Sequence, residues 1–174
     1  MLTIGHSNRL LTEFLGMLKA HGVETLADVR RVPRSRYNPQ FNRESLPGDL
    51  SAEGIRYVHM PGLGGLRHPR PDSPNRGWTN PGFRGYADFM QTGEFQGQLD
   101  ALLGLEGCVA IMCAEAVPWR CHRSLIADAL TARGVEVFHI LGATRVEGHR
   151  LTSFARLEGT RVTYPSDALD LFPE

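Results

Sequence analysis

Residues 108–134, "CVAIMCAEAVPWRCHRSLIADALTARG", decide the fold of this chain. The stretch begins with a short apolar run at 108–114, which predicts a buried strand. A bend that contains Pro118 follows, and residues 121–134 then show the apolar spacing of a helix that stops at Gly134. A buried strand followed directly by a helix is half of a βαβ unit, so the stretch indicates a parallel sheet.

Alternating strands and helices continue on both sides of this stretch. Thr12 is expected to cap the first helix and Gly22 to end it. The alternation predicts a three-layer, Rossmann-like α/β fold whose mostly parallel sheet has helices on both faces. The predicted strands are residues 2–5, 23–30, 55–60 and 135–141, and the predicted helices are residues 11–22, 44–54, 86–92 and 94–105.

The chain contains no clear linker, so we expect one α/β domain over residues 1–174. The polar tail from about residue 145 is expected to form edge strands and a small appendage. Residues 61–85 are rich in proline and glycine, which excludes a helix or a central strand there. A loop of that length is usually functional or mobile.

The composition is that of an ordinary soluble protein, with 41% hydrophobic and 22% charged residues and zero net charge. A chain with zero net charge has no overall electrostatic attraction to nucleic acid. We find neither a secretory signal nor an apolar run of about 20 residues, so we expect a cytoplasmic protein without a membrane partner. Three cysteines do not make a disulfide framework in such a protein.

The basic residues are almost all arginine, since Lys19 is the only lysine among 19 basic residues. A GC-rich genome would explain this bias. A local need for planar, bidentate anion binding would explain it equally well, and composition alone does not separate the two.

Polar side chains follow the strands at the points where the strands end. Right-handed crossovers bring the carboxyl ends of parallel strands to one edge of the sheet, which is where open α/β folds bind ligands. We therefore predict an active site or binding site at this edge. Its candidate residues are His6, Ser7, Asn8, Asp28, Arg30, Arg31, Arg34, Arg36, Cys113, Glu115, Cys121, His122 and Arg123.

The start of the helix at 121–134 suggests particular chemistry. A helix N-terminus favours anions and lowers the pKa of a nearby thiol, here Cys121, and Arg123 would add a bidentate anion donor. His122 could shuttle protons, and Glu115 could act as a base or pair with an arginine. The same residues also have ordinary structural explanations, and Cys113 could be an inert core residue. We expect the remaining histidines, His21, His59, His68, His139 and His149, to be structural or on the surface.

The two cysteines also allow a metal site or a redox role. Cys113 and Cys121, with His122 or His6, could bind zinc or iron. Seven residues separate the cysteines, however, which is not the tight spacing of structural zinc motifs. A disulfide across the turn is disfavoured in the cytoplasm, and a transient redox role ranks below the other possibilities.

Five blocks together resemble the bacterial and archaeal family catalogued as domain of unknown function 488. They are "TIGHSN" at 3–8, "DVRRVPRSRYNPQF" at 28–41, "GIRYVHMPGLGG" at 54–65, "GFRGYADFM" at 82–90 and "MCAEAVPWRCHRSLIADAL" at 112–130. The resemblance implies a compact α/β domain whose signature residues gather in one pocket. Those residues are His6, Ser7, Asp28, Arg30, Pro33, Ser35, Arg36, Tyr57, Leu63, Gly64, Gly65, Phe83, Tyr86, Cys113, Glu115, Cys121, His122 and Arg123.

The leading hypothesis is an enzyme that acts on a phosphorylated or nucleotide-like substrate. Arg30, Arg36 and Arg123 would hold the anion, together with the helix N-terminus. Cys121 or Cys113 would be the nucleophile, and Glu115, His122 or His6 would handle protons. The loop at 61–85, with Trp78 and Phe83, would cover the pocket. The sequence defines neither the substrate, the reaction and any cofactor nor the oligomeric state.

Two other hypotheses remain open at the level of sequence. The chain could be a non-catalytic nucleic-acid or nucleotide-binding module that clamps a strand between its arginines and the aromatic residues Tyr37, Phe41, Trp78 and Tyr86. It could instead be a zinc- or iron-binding protein that uses Cys113, Cys121 and a histidine.

Overall fold

Eight strands and five helices make up the computed structural model, which describes residues 1–166. The strands are β1 Leu2–Gly5, β2 Thr25–Asp28, β3 Arg56–His59, β4 Val109–Cys113, β5 Phe138–Ile140, β6 Val146–Gly148, β7 Arg156–Glu158 and β8 Arg161–Thr163. The helices are α1 Leu11–Ala20, α2 Leu46–Ala52, α3 Pro81–Phe89, α4 Gly93–Leu103 and α5 Arg123–Ala132. Among these described residues, no helix is long and apolar enough to cross a membrane.

The predicted apolar strand forms β4 and lies in the interior of the main sheet. The strand order is β3-β2-β4-β1-β5-β6, in which the first five strands are parallel and β6 runs antiparallel to β5. β7 and β8 form a separate antiparallel pair. The prediction of a mostly parallel α/β sheet is therefore confirmed.

Alternate side chains of β4 enter two different cores. Ala110 and Met112 pack on one face of the sheet with apolar residues of α1 and α2. Val109, Ile111 and Cys113 pack on the other face with residues of α3, α4 and α5. A strand that is buried on both faces must be apolar along its whole length, which explains its continuous apolar sequence.

β1 and β4 are neighbours in the sheet, and the connections that follow them leave towards opposite faces. From β1 the chain continues to α1 on one face, whereas from β4 it continues to α5 on the other. Because the two connections diverge, a crevice opens beyond the carboxyl ends of these strands, and ligands of open α/β sheets bind in such crevices.

Several boundaries differ from the predicted ones for local physical reasons. Helix α1 begins at Leu11, and Leu10 rather than Thr12 is its N-cap. Gly22 adopts the left-handed backbone that ends a helix, as predicted. Helix α3 starts inside the predicted loop, because the side chain of Asn80 accepts hydrogen bonds from two amides of the first turn and Pro81 fits the first helical position.

β6 forms an edge strand of the main sheet, and part of the tail beyond it packs against the core. Val162 and Tyr164 are buried with residues of α5, and the Tyr164 hydroxyl donates to the Asp128 carboxylate over 2.7 Å. Nothing in the sequence indicated that Val162 and Tyr164 are buried, because polar residues surround them and three-residue strands give almost no periodic signal.

Candidate functional site

The crevice begins where β1 passes very close to the segment after β4. Gly5 has no side chain, and a methyl group there would penetrate the Glu115 carbonyl. Two residues later Ser7 adopts a left-handed backbone with φ of 52°, and its amide donates to the Ala114 carbonyl over 2.8 Å. A non-glycine residue in this conformation is strained, and such strain is concentrated at functional sites.

A buried ion pair forms the floor of the crevice. Asp28 is fully buried and accepts two hydrogen bonds from the Arg30 guanidinium, of 2.9 and 2.6 Å. The Tyr57 hydroxyl donates to the same carboxylate over 2.7 Å. Arg30 also donates to the Phe41 carbonyl over 2.7 Å, so its orientation is fixed from several directions.

His6 is a neutral ring whose two nitrogens are both occupied. Arg30 donates to Nε2 over 3.1 Å, so the proton is on Nδ1, which donates to the Ser7 carbonyl over 2.7 Å. The ring stacks on Phe41 at a centroid distance of 4.3 Å. Burial lowers the pKa of His6 to about 4. His6 therefore holds Arg30 and Ser7 in place, which differs from the predicted role in proton transfer.

Above this floor lies a cavity of about 650 Å³, which we call the anion cavity. Arg34 and Arg120 line it and are exposed, and neither has an ion pair within residues 1–166. Among the described residues of the lining, Glu115 is the one acidic side chain, so the three arginines of the wall outnumber the carboxylates. Its lining residues are His6, Ser7, Asn8, Arg30, Val32, Arg34, Ser35, Asn38, Ala114, Glu115, Ala116, Val117 and Arg120.

The two cysteines of the turn form a close pair, with their sulfurs 2.7 Å apart. The hydrogen bond from Cys113, with further contributions from His122 and Arg123, lowers the pKa of the Cys121 thiol well below its usual range although burial opposes this. Burial and the donation to Cys121 raise the pKa of Cys113 well above its usual range. These opposite directions favour Cys121 as the thiolate and Cys113 as the thiol that donates to it.

Helix α5 contributes to the stability of this thiolate. The backbone amide of Arg123, in the first turn, donates to the Cys121 sulfur over 3.5 Å, and His122 Nδ1 lies 3.5 Å from the same atom. The unpaired amides of a helix N-terminus favour negative charge.

Arg123 lies beneath the turn, with 1% of its surface exposed. Its guanidinium donates to the Glu115 carbonyl over 3.0 Å, its Nε has no hydrogen-bond partner, and no carboxylate of residues 1–166 forms an ion pair with it. A buried cation requires a counter-charge, and the thiolate of Cys121 can supply it. Arg123 thus supports the thiolate and does not line the anion cavity.

The Cys121 side chain lines a second, smaller chamber of about 250 Å³, which we call the thiol chamber. Glu115 and Arg120 line both the thiol chamber and the anion cavity, so the two adjoin each other. The thiol chamber is lined by Gly65, Leu66, Asn80, Gly82, Phe83, Glu115, Arg120, Cys121 and His122.

Of the other predicted site residues, two glycines and Tyr86 pack closely at the wall of the thiol chamber, whereas Arg36 does not. A methyl group on Gly65 would lie 3.1 Å from the His122 ring, and one on Gly64 would lie 2.9 Å from the side chain of Arg31. Tyr86 is buried beneath His122, with ring centroids 5.0 Å apart. Arg36 is exposed and lines neither the anion cavity nor the thiol chamber.

Metal ligation receives no support from the side chains of residues 1–166. No group of three or more histidine, cysteine, aspartate or glutamate residues in this range has a metal-binding arrangement. His122 lies 3.5 Å from the Cys121 sulfur, but it does not form such an arrangement with the two cysteines.

The profile of a family described as "Domain of unknown function DUF488" matches residues 10–130. The chain belongs to this family. The resemblance seen in the sequence blocks is thus confirmed. No curated protein sequence and no solved structure matches the chain.

The DUF488 match covers most of the site but not all of it. It includes the ion pair of Asp28 and Arg30 and the whole turn from Cys113 to Arg123. His6 and Ser7, which complete the crevice from β1, precede the matched region.

A further polar network in this DUF488 chain was missed because its members are far apart in sequence. The His149 ring is 2.8 Å from the Asp128 carboxylate and 3.0 Å from His139, which in turn is 2.7 Å from the Thr3 hydroxyl. Burial lowers the pKa of His139 to about 4. The one sequence signal was Asp128 itself, an acidic residue within the apolar run of a helix.

The proline- and glycine-rich segment is fixed to the DUF488 core, and it supplies a wall of the thiol chamber through Gly65, Leu66, Asn80, Gly82 and Phe83. Buried Asp88 accepts hydrogen bonds from the Ser73 hydroxyl over 2.6 Å and from the Asn75 amide over 2.8 Å. Trp78 stacks on Phe83 at 4.8 Å and packs against Tyr164. Hydrogen bonds to this buried carboxylate hold the segment in place where it has no helix or strand.

Proposed function

We propose that the protein is an enzyme that acts on a phosphorylated or nucleotide-like substrate with Cys121 as its nucleophile. One observation carries the proposal: a chamber with a low-pKa cysteine adjoins, at Glu115 and Arg120, a cavity in which two arginines have no ion pair within residues 1–166. An anion held in the cavity would bring the neighbouring part of the same molecule towards the thiolate.

Each group has a chemical role in this proposal. Arg34 and Arg120 bind the anionic group, while the buried pair of Asp28 and Arg30 fixes the floor beneath it. The thiolate of Cys121 attacks an electrophilic atom next to that group, and the bond from that atom to its leaving group breaks as the bond to sulfur forms. Water then attacks the same atom and releases Cys121 as the thiolate. Glu115 lines both spaces and is exposed, so it is placed to exchange a proton with the leaving group and with water.

A panel of phosphorylated small molecules and nucleotides tests this function. We expect Cys121→Ser to reduce turnover by at least about 10³-fold, because a hydroxyl replaces the stabilised thiolate. Substrate affinity should change little, because the anion is held by the arginines. Turnover is measured by product analysis, and affinity by the shift in melting temperature on ligand binding.

Cys108→Ser is the matched control, because Cys108 precedes β4 at the opposite end of that strand and lies outside both spaces. It should retain full turnover. A folded Cys121→Ser variant that keeps wild-type turnover would contradict the proposed nucleophile.

A dithiol oxidoreductase is the second candidate, favoured by the 2.7 Å separation of the two sulfurs. In its oxidative half-reaction, hydrogen peroxide accepts two electrons and two protons from Cys113 and Cys121, which yields one disulfide and two waters. We expect peroxide to remove two hydrogen atoms from the intact mass and dithiothreitol to restore them. Cys108→Ser should behave like the wild type and Cys113→Ala should not. An unchanged wild-type mass would argue against this candidate.

The alternative of a nucleic-acid clamp has less support. Phe41 and Tyr86 are fully buried, and Trp78 stacks against Phe83, so these rings are not free to stack on bases. Of the four aromatic residues considered, only Tyr37 is exposed, with 94% of its surface accessible. A single accessible ring among them does not form the stacking platform that such modules use.

A further inference from the structure

Large apolar side chains are exposed around the mouth of the crevice. We call them the apolar rim: Leu10, Val32, Tyr37, Leu66 and Trp119. Each lies in the connection that follows the carboxyl end of one of the strands β1 to β4. Exposed apolar residues are usually scattered singly, and their concentration at one edge of a domain marks an interaction site.

The rim borders the site already described. Val32 lines the anion cavity, and Leu66 lines the thiol chamber. Trp119 precedes Arg120, which lines both spaces, and itself lines a separate cavity of about 690 Å³ with Trp78 and His139. The Tyr37 amide donates to the Ser35 hydroxyl over 3.2 Å, and Ser35 lines the anion cavity. A molecule that covered the rim would therefore also cover the crevice.

The backbone holds Leu66 outward in a strained conformation. Its φ is 61°, although 81% of its surface is exposed, and the Arg31 guanidinium donates to its carbonyl over 3.3 Å. Within residues 1–166, Ser7 is the only other non-glycine residue with a positive φ, and it lines the anion cavity. Both strained positions thus belong to the same edge, as strain at functional sites would predict.

The charged residues of this edge indicate the chemistry of a partner. Arg31, Arg34, Arg36 and Arg120 are exposed, and none has an ion pair in the described part of the chain. Such unpaired cations favour an acidic partner. Tyrosine, tryptophan and arginine are also the residues enriched at protein interfaces and at their binding hot spots.

We propose that the apolar rim binds an acidic polypeptide segment whose phosphorylated side chain enters the anion cavity. The substrate is then a phosphorylated protein or peptide instead of a free nucleotide. This inference rests on the proposed function, because it places a phosphorylated group in the same cavity. The aliphatic rim residues Leu10, Val32 and Leu66 support it, since they complement apolar side chains. Tyr37 and Trp119 could also stack on a base, so RNA is one arm of the test.

The test compares binding of short acidic peptides that carry phosphoserine or phosphotyrosine between apolar residues with binding of their unphosphorylated forms. The rim variant Tyr37→Ser/Trp119→Ser alters two exposed residues that line neither the anion cavity nor the thiol chamber. The control variant Leu103→Ser/Leu157→Ser removes comparable exposed apolar groups from α4 and β7. Fluorescence polarisation measures the peptides, and the melting-temperature shift with inorganic phosphate measures the cavity alone.

We expect the wild type and the control variant to bind the phosphopeptides equally. The rim variant should bind them at least about 30-fold more weakly and keep its response to phosphate. Three results would overturn the inference: an unaffected rim variant, phosphate binding without phosphopeptide binding, or rim-dependent binding of phosphatidylserine vesicles or RNA in place of peptide. If the wild type binds neither phosphate nor any phosphorylated compound, the proposed function itself fails.

Discussion

Replacing Asp28 by asparagine is expected to lower the free energy of unfolding by about 3–5 kcal/mol. The substitution leaves the Arg30 guanidinium, which is 8% exposed, without its counter-charge. It also removes the ionised acceptor of the Tyr57 hydroxyl, so several buried polar groups lose partners together. Urea unfolding followed by circular dichroism measures the change.

The pair of Arg70 and Asp72 provides an unusually close control. It has the same spacing in sequence and the same two-pronged geometry, with hydrogen bonds of 3.0 and 2.6 Å, but both side chains are exposed. Asp72→Asn should leave stability unchanged within error, because water replaces the lost partner. Equal effects of the two substitutions would show that burial of the Asp28 pair does not determine how much this pair contributes to the free energy of unfolding.

Replacing Gly5 by alanine is expected to cost about 3 kcal/mol or more, at the upper end of overpacking effects. The added methyl group would penetrate the carbonyl of Glu115, which is backbone and cannot rotate away. The strands β1 and β4 would have to separate, although the hydrogen bond from the Ser7 amide to the Ala114 carbonyl joins them just beyond this point. Thermal and urea unfolding measure the loss, and reaction of Cys121 with iodoacetamide reports whether the turn has moved.

Gly16→Ala is the matched control for this substitution. Gly16 lies within α1, and a methyl group there would meet no other atom within 4 Å. Alanine should raise stability by about 0.5–1 kcal/mol, because glycine is unfavourable inside a helix. A Gly5→Ala variant as stable as Gly16→Ala would mean that β1 and β4 can separate at little cost.

The location of the site followed from local patterns and one rule of handedness. Apolar runs marked the strands, and polar residues such as Asp28 and Glu115 marked their carboxyl ends. Because crossovers between parallel strands are right-handed, those ends had to share an edge. The structure brings His6, Arg30 and Glu115 to one cavity there.

The direction of individual side chains could not be obtained in this way. Arg123 was expected to face a ligand, yet it lies beneath the turn against the Glu115 carbonyl. Phe41 and Tyr86 were considered as stacking surfaces, yet both are core residues. Burial depends on how distant segments pack, and amphipathic side chains such as arginine and tyrosine fit either environment.

The sequence by itself determined the α/β class, the parallel sheet and the edge that carries the site, because these depend on periodicity within short segments and on the handedness of the chain. Only the tertiary structure brought the sulfurs of Cys113 and Cys121 to 2.7 Å, left Arg34 and Arg120 without ion pairs among residues 1–166, and placed His149 against Asp128. Charge states and pairings depend on distances between atoms that are remote in the chain, and those distances exist only once the cores on both faces have packed.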